Sequence, residues 1–391
     1  MNIVFVSLYS PITYLGGAEI LTLVLAESLV KLGHHVIIYT AGTGRRNMLR
    51  GVVIQETPLF MFPLRFRATL LPLYSLVLGA FFSLNRDFRN ADIVHAIDSG
   101  AIVLLSGWGF LREKFVATIQ DYSLIWPTKD YFSLGRSKRT PLSFAGVLTR
   151  MIRKTVSLSA ARRLRYAVCV SEYVASKFRA VNSKTNITVI GNCVSPDWEK
   201  QVATAPRDID ILYVGKLMPY KGLDVLLSSL RRLSDMRTLS VVIVGEGLMP
   251  RYKNQAVRIG ISRHVTFTGP IPYLDIRRFY QRSKIVVSPS IWPEPCGRSI
   301  IEAMWLGCAV VATNVGGTPE SLIDGIHGYL VDPGKPSEIA IACGKLLRNT
   351  KKRNTFGEEA ARYAHKNYSS DRIAKEYLRF YSLIKSGQLI I

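Results

Sequence analysis

Short β-rich runs recur along the chain, and most are followed by a stretch of helical period. The first series occupies 2–8, 36–39, 92–95, 115–119, 166–170 and 187–190, the second 209–214, 240–244, 265–268, 285–288 and 309–312. Strands separated by helices do not pair as tight hairpins; they cross over right-handed and lie parallel. Helices then cover both faces of the sheet, which is why these runs are nearly continuous in apolar residues rather than alternating. Residues 18–32 show the covering element, with Ile20, Leu23, Val24, Ala26, Leu29 and Val30 at helical spacing and Gly33 ending it. Ser171 reads as the N-cap of a helix running toward Val181, and Thr318-Pro319 as an N-cap followed by proline at the first helical position. Between the series, 195–208 is polar, holds two prolines and reads as a linker. The expected fold is therefore α/β: two doubly wound parallel-sheet domains facing across a cleft, for which 391 residues is a comfortable length.

Composition excludes several alternatives. With 48% hydrophobic and 20% charged residues the chain is neither disordered nor collagen-like. Its five cysteines form no CxxC pair, which argues against a zinc ribbon or a disulfide scaffold and for a reducing compartment. A net charge of +23 calls for an anionic partner. Nucleic acid is not expected, because the charge divides about evenly between the halves and no recognition helix or stacking array is present. Met1 leads straight into an apolar strand, so no targeting signal is expected. Residues 68–84 lack charge but are short for a bilayer and carry Pro72 and Gly79; they read as a buried or interfacial helix, with a transmembrane helix as the alternative.

The residues suited to chemistry fall at the carboxyl ends of strands, where open α/β sheets bind ligands. Gly16-Gly17-Ala18-Glu19 follows the first strand and opens a helix, so its backbone can approach an anion. Gly215-Lys216 and Lys221-Gly222 place two lysines on one loop, suited to a diphosphate or, as a plainer alternative, to solvent. Gly245-Glu246-Gly247 forms a nucleoside pocket or merely a turn. The strongest feature is Trp292-Pro293-Glu294-Pro295-Cys296-Gly297-Arg298-Ser299, followed by Glu302 within the helix that starts near Gly297. Two carboxylates beside a helix N-terminus can hold vicinal hydroxyls while the free N–H groups hold phosphate. The alternative is a salt-bridged loop, with Glu302 paired to a local arginine.

With these motifs in place, the sequence resembles the retaining glycosyltransferases of the GT-B fold, glycosyltransferase family 4. Glu294…Glu302 corresponds to the family's Glu-x7-Glu motif, and Gly215-Lys216-Leu217…Lys221-Gly222 to its basic glycine loop. Gly16-Gly17-Ala18-Glu19 and Val315-Gly316-Gly317-Thr318-Pro319-Glu320 match further signatures. The resemblance implies a hexosyltransferase of the EC 2.4 class that uses a nucleoside-diphosphate sugar and needs neither metal nor cofactor. It implies an acceptor-binding, Rossmann-like domain over 1–200, a nucleotide-sugar-binding one over 205–368, and a last helix, about 370–391, packing back on the first. Glu302 would hold the ribose, Glu294 the transferred sugar, and Lys216 and Lys221 the diphosphate. Gly16, Gly17, Gly215, Glu246, Cys296, Gly297, Arg298 and Ser299 would line the donor. Where the family often has histidine, Gln120 follows the strand 115–119; it cannot exchange a proton near neutral pH. His95 is the substitute candidate, with a non-chemical role at the strand end as the alternative, and His34 is read as structural.

The expected function is thus retaining transfer of a sugar from a nucleotide donor to a lipid-linked or polysaccharide acceptor. The alternative is a nucleotide-sugar-binding GT-B subunit with little turnover, which Gln120 suggests. Between Lys129 and Arg165 ten basic residues face a single acid, Asp130, with apolar residues interleaved. That pattern suits an anionic membrane surface, giving an expected cytoplasmic, peripheral location.

Overall fold

The computed structural model describes residues 1–10, 17–60, 71–125, 144–199, 206–233 and 238–389. Two compact units result: Met1–Lys129, Lys138–Cys193 and Ser370–Ile391 contribute to the first, and Val194–Ser369 to the second.

The first unit contains an eight-stranded sheet. Its strands are β1 (Asn2–Ser7), β2 (His35–Ala41), β3 (Arg46–Leu49), β4 (Val52–Thr57), β5 (Ile93–Ala96), β6 (Phe115–Ile119), β7 (Tyr166–Cys169) and β8 (Asn186–Val189). They lie in the order β3-β4-β2-β1-β5-β6-β7-β8, parallel apart from the β3–β4 pair. In β1, Ile3 to Ser7 are all buried, as a central strand covered on both faces requires. Helices α1 (Gly17–Lys31), α2 (Leu71–Leu84), α3 (Arg86–Asn90), α4 (Ser99–Leu105) and α5 (Phe144–Arg163) supply part of that cover. The helix Ser370–Lys385 belongs to this unit and packs on α1, burying Tyr377 and Tyr381. Ser171 caps its helix by accepting a hydrogen bond from the Val174 N–H at 3.2 Å. Helix α2 is two-faced: Leu78 and Phe82 are buried, while Val77 and Leu84 are exposed. No helix among the described residues is long and apolar enough to cross a membrane.

The second unit holds β9 (Ile209–Val214), β10 (Val241–Val244), β11 (Val265–Gly269), β12 (Ser283–Ser288), β13 (Ala309–Thr313) and β14 (Gly328–Val331), all parallel in the order β11-β10-β9-β12-β13-β14. Successive strands lie on one side of β9 as far as β11, then on the other from β12. The β9/β12 junction is thus the switch point, the place where open α/β sheets take ligands. Two details differ from expectation. Thr318 is the first residue of the helix Thr318–Ser321 rather than its cap, because Gly317 takes the cap position. The segment read as a linker contains a short helix, Pro196–Glu199, whose Trp198 is buried.

Candidate functional site

At the second sheet's switch point, three loops are tied together by their backbones. The loop after β9 is joined to the loop after β10 by Leu217 N–H donating to the Glu246 carbonyl at 2.7 Å and Leu248 N–H to the Leu217 carbonyl at 2.8 Å. It is joined to the loop after β12 by Ile291 N–H donating to the Tyr220 carbonyl at 3.0 Å, and by the Ser290 hydroxyl at 3.2 Å. Tyr213, on β9, donates its hydroxyl to the Lys216 carbonyl at 2.9 Å and so fixes the start of the glycine loop. Gly222 has φ +69°, and a Cβ there would stand 1.8 Å from the Pro289 carbonyl oxygen. Only glycine lets the lysine loop approach the Glu294 loop this closely. Gly316, at φ +59°, closes the other side, with its Cβ position 2.2 Å from the Glu294 carbonyl oxygen, which also accepts from Gly317 N–H at 2.7 Å.

Within this frame Lys221 Nζ lies 2.7 Å from Glu294 Oε1, with the carboxylate nearly buried and the ammonium about a quarter exposed. Lys216 is exposed and meets no carboxylate among the described residues; Glu246 is exposed beside it. Glu294 precedes the helix Arg298–Trp305, whose cap residue, Gly297, has no side chain with which to cap it. The N-terminal turn therefore presents backbone donors around Arg298 and Ser299, with Cys296 partly buried just before them.

Glu302 sits one turn further, buried, and both its oxygens are engaged: Oε1 by Arg298 Nε at 2.9 Å and Oε2 by the Tyr280 hydroxyl at 3.0 Å. Burial pushes its pKa up, and Arg298, Tyr280 and Tyr273 oppose that shift. The Arg298 guanidinium lies over the Tyr273 ring at 4.6 Å, and that ring stacks on Trp198 at 5.0 Å. The salt-bridged alternative therefore describes the contacts of both glutamates. The aromatic layer of Trp198, Tyr273 and Tyr280 was not anticipated; the available signal was the i, i+4 spacing of Arg298 and Glu302, which places both on one helix face.

The remaining candidates belong to the first unit. Gly17 opens α1, and Gly16 lies outside the described residues. Gln120 follows β6, and its amide nitrogen is buried with no hydrogen-bond partner among the described residues. His95 requires a correction. It is fully buried in β5, with Nδ1 2.6 Å from the Tyr381 hydroxyl and Nε2 2.7 Å from Thr118 Oγ1. Burial lowers its pKa to about 3, so the ring is neutral and both nitrogens are occupied; it packs the last helix onto the sheet and offers nothing to a substrate. His34 is bonded to the Met1 amino group at 3.0 Å. Among the described residues, no cluster of His, Cys, Asp or Glu is large enough to hold a metal ion, and all five cysteines are free thiols.

Comparison with known proteins agrees with this layout. Residues 194–363 match the family model "Glycosyl transferases group 1" and residues 15–198 the model "Glycosyltransferase Family 4". An uncharacterized glycosyltransferase of Methanocaldococcus jannaschii is 28% identical over 228 residues, 55% of this chain and 58% of that one. Spore coat protein SA of Bacillus subtilis is 28% identical over 240 residues, 55% of this chain and 64% of its own length. The matched regions thus span about three fifths of these curated relatives. HepE of Anabaena, solved with UDP and glucose, superposes with a TM-score of 0.72 at 21% identity, covering 98% of this chain and 99% of that one. At that identity the likeness speaks for the fold. Taken together, the two family models and the shared architecture place the chain among the family 4 type glycosyltransferases of the GT-B fold.

Proposed function

We propose that the chain transfers a sugar from a nucleoside-diphosphate donor, with retention of configuration, to a lipid-linked or glycan acceptor. The observation that carries this is the Lys221–Glu294 pair, held at the switch point beside the open N-terminus of the helix Arg298–Trp305. Departure of a nucleoside diphosphate gathers negative charge on its phosphate oxygens, and fixed cations and N–H groups aimed there lower the barrier. Lys216 and Lys221 are the cations, and the backbone from Cys296 to Ser299 supplies the N–H groups. Glu294 steadies Lys221 and accepts hydrogen bonds from the donor sugar. Glu302 receives the ribose on an oxygen that Arg298 now occupies. HepE was solved with UDP and glucose, which supports a nucleotide-sugar donor. No step in this scheme needs a metal, so turnover should survive EDTA.

The alternative, a nucleotide-sugar-binding subunit with little turnover, has one observation in its favour: neither His95 nor Gln120 offers a substrate a group that titrates near neutral pH. Release of nucleoside diphosphate from UDP- and GDP-sugars, measured with and without candidate acceptors, separates the two. Acceptor-dependent release supports the transferase. Binding without release supports the alternative, and absence of binding refutes the donor assignment.

For the acceptor side, the support is α5, on which Met151 and Ile152 are exposed beside Arg153 and Lys154. The basic residues from Lys129 to Arg139 lie outside the described residues. Exposed apolar and basic side chains together suit an anionic bilayer, consistent with a peripheral enzyme at the cytoplasmic leaflet.

A further inference from the structure

A cavity of about 420 Å³ is built wholly from first-unit residues and plays no part in the scheme above. Its floor is a row across three strands. Tyr39 of β2 lies opposite Gln55 of β4, and Gln55 opposite Arg46 of β3, so the three side chains share one face of the sheet. The row lies near the carboxyl ends of β2 and β4, the edge where such sheets take ligands. Its roof is the end of α2 and the start of α3, contributing Phe81, Asn85, Arg86 and Asp87.

The polar groups divide by what they already hold. Asp87 Oδ2 accepts from the Tyr39 hydroxyl at 2.7 Å, and Glu56 Oε2 accepts from Thr43 N–H at 2.9 Å and Thr43 Oγ1 at 3.0 Å. Asp87 is thereby fixed through one oxygen, and its other oxygen remains able to accept; Glu56, which follows Gln55 in β4, turns its carboxylate to the opposite face of the sheet. Asn85 is held by capping α3, its Oδ1 accepting from Asp87 N–H at 2.9 Å. Arg46 and Arg86, by contrast, meet no carboxylate among the described residues although both line the cavity. Guanidinium forks fit phosphate oxygens, anchored carboxylates fit hydroxyl pairs, and the Phe81 ring offers a wall for a C–H face. The volume falls within the range of small-molecule sites.

We infer that this cavity binds a phosphorylated polyol or sugar, with the phosphate on Arg46 and Arg86 and the hydroxyls on Asp87 and Asn85. Such a group can belong to a free sugar phosphate or to a lipid headgroup. Calorimetric titration of the full chain with glucose 6-phosphate and inositol 1-phosphate tests the first source. Flotation with phosphatidylinositol in phosphatidylcholine vesicles, against phosphatidylcholine alone, tests the second. At least one phosphorylated ligand should bind, with glucose and inorganic phosphate each weaker. Arg46→Gln and Arg86→Gln should each weaken that binding by about tenfold to a hundredfold, the usual effect of losing one charge-assisted contact. Both side chains are exposed, so unchanged circular dichroism and melting should confirm folding of the variants. Equal binding by wild type and both variants, or no binding in either arm, overturns the inference.

Discussion

The neutral His95 ring should make the first unit sensitive to mild acid, and His95→Gln should remove that sensitivity. Burial holds the folded pKa at about 3, while in the unfolded chain the ring titrates near its ordinary ~6.5. Between those values the unfolded chain binds a proton that the folded chain refuses. Stability from the neutral ring is therefore complete above ~6.5 and declines as the pH falls toward the folded value. At pH 5.0 the unfolded ring lies ~1.5 units below its pKa, which at ~1.36 kcal/mol per unit costs about 2 kcal/mol relative to pH 7.5. Glutamine keeps a donor and an acceptor for Tyr381 and Thr118 but does not titrate. Two units need not unfold together, so a local readout is required. Hydrogen exchange of peptides from β5, β6 and the helix Ser370–Lys385, corrected for intrinsic rates, supplies it. The wild-type opening free energy should fall by about 2 kcal/mol more than that of His95→Gln between pH 7.5 and 5.0. Parallel pH dependences would refute the buried-neutral account. A large loss of sugar transfer in a folded His95→Gln protein would restore His95 as a catalytic candidate.

Four further outcomes are expected. Lys221→Met should lower kcat by about tenfold to a thousandfold without unfolding the protein, as loss of one charge-stabilising group does; an unchanged kcat would return Lys221 to a structural pairing with Glu294. Glu302→Gln should weaken nucleotide binding and reduce stability by about 1–3 kcal/mol, because Arg298 loses its charged partner in a buried site; calorimetric titration and melting check both. Gly316→Ala forces a Cβ against the Glu294 carbonyl at positive φ and should cost about 1–3 kcal/mol while weakening nucleotide binding; wild-type behaviour would mean that the loop is not held by that contact. The protein should float with anionic but not zwitterionic vesicles, and less so as salt rises; equal recovery in the soluble fraction with both would point to a soluble acceptor.

The parallel strands were legible because a central strand covered on both faces leaves an unbroken apolar run. Val241–Val244, for example, is valine or isoleucine throughout and wholly buried. The β3–β4 hairpin was not legible. Its turn is Arg50-Gly51, with φ of +51° and +83°, and arginine gives none of the signal that asparagine or aspartate gives at a positive-φ position. Strand β3 is also largely exposed, so it lacks the apolar run that marked the others. The hairpin's absence from the sequence reading hid the cross-strand row that forms the cavity floor, since Arg46 and Gln55 become neighbours only through that turn.

The candidate site shows the same divide between what spacing fixes and what packing decides. The sequence places Lys216, Lys221 and Glu294 on loops that follow strands and Glu302 within the helix after Gly297, and those loops converge at one switch point. What each carboxylate holds depends on residues far away in sequence. Lys221 reaches Glu294 across 73 positions, and Tyr280 reaches Glu302 across 22. For His95 the deciding partner, Tyr381, lies 286 positions away on the last helix. A histidine at a strand end reads as a site residue until the sequence reveals what covers it, and the covering helix is recruited from the far end of the chain. Strand-end position thus marks a candidate, and long-range burial decides whether that candidate can exchange a proton. Gln120 passes the test that His95 fails only in part: it stands at the strand end with a buried amide nitrogen unsatisfied among the described residues, yet it carries no proton to exchange. Neither of these two residues can therefore supply an acid or base near neutral pH.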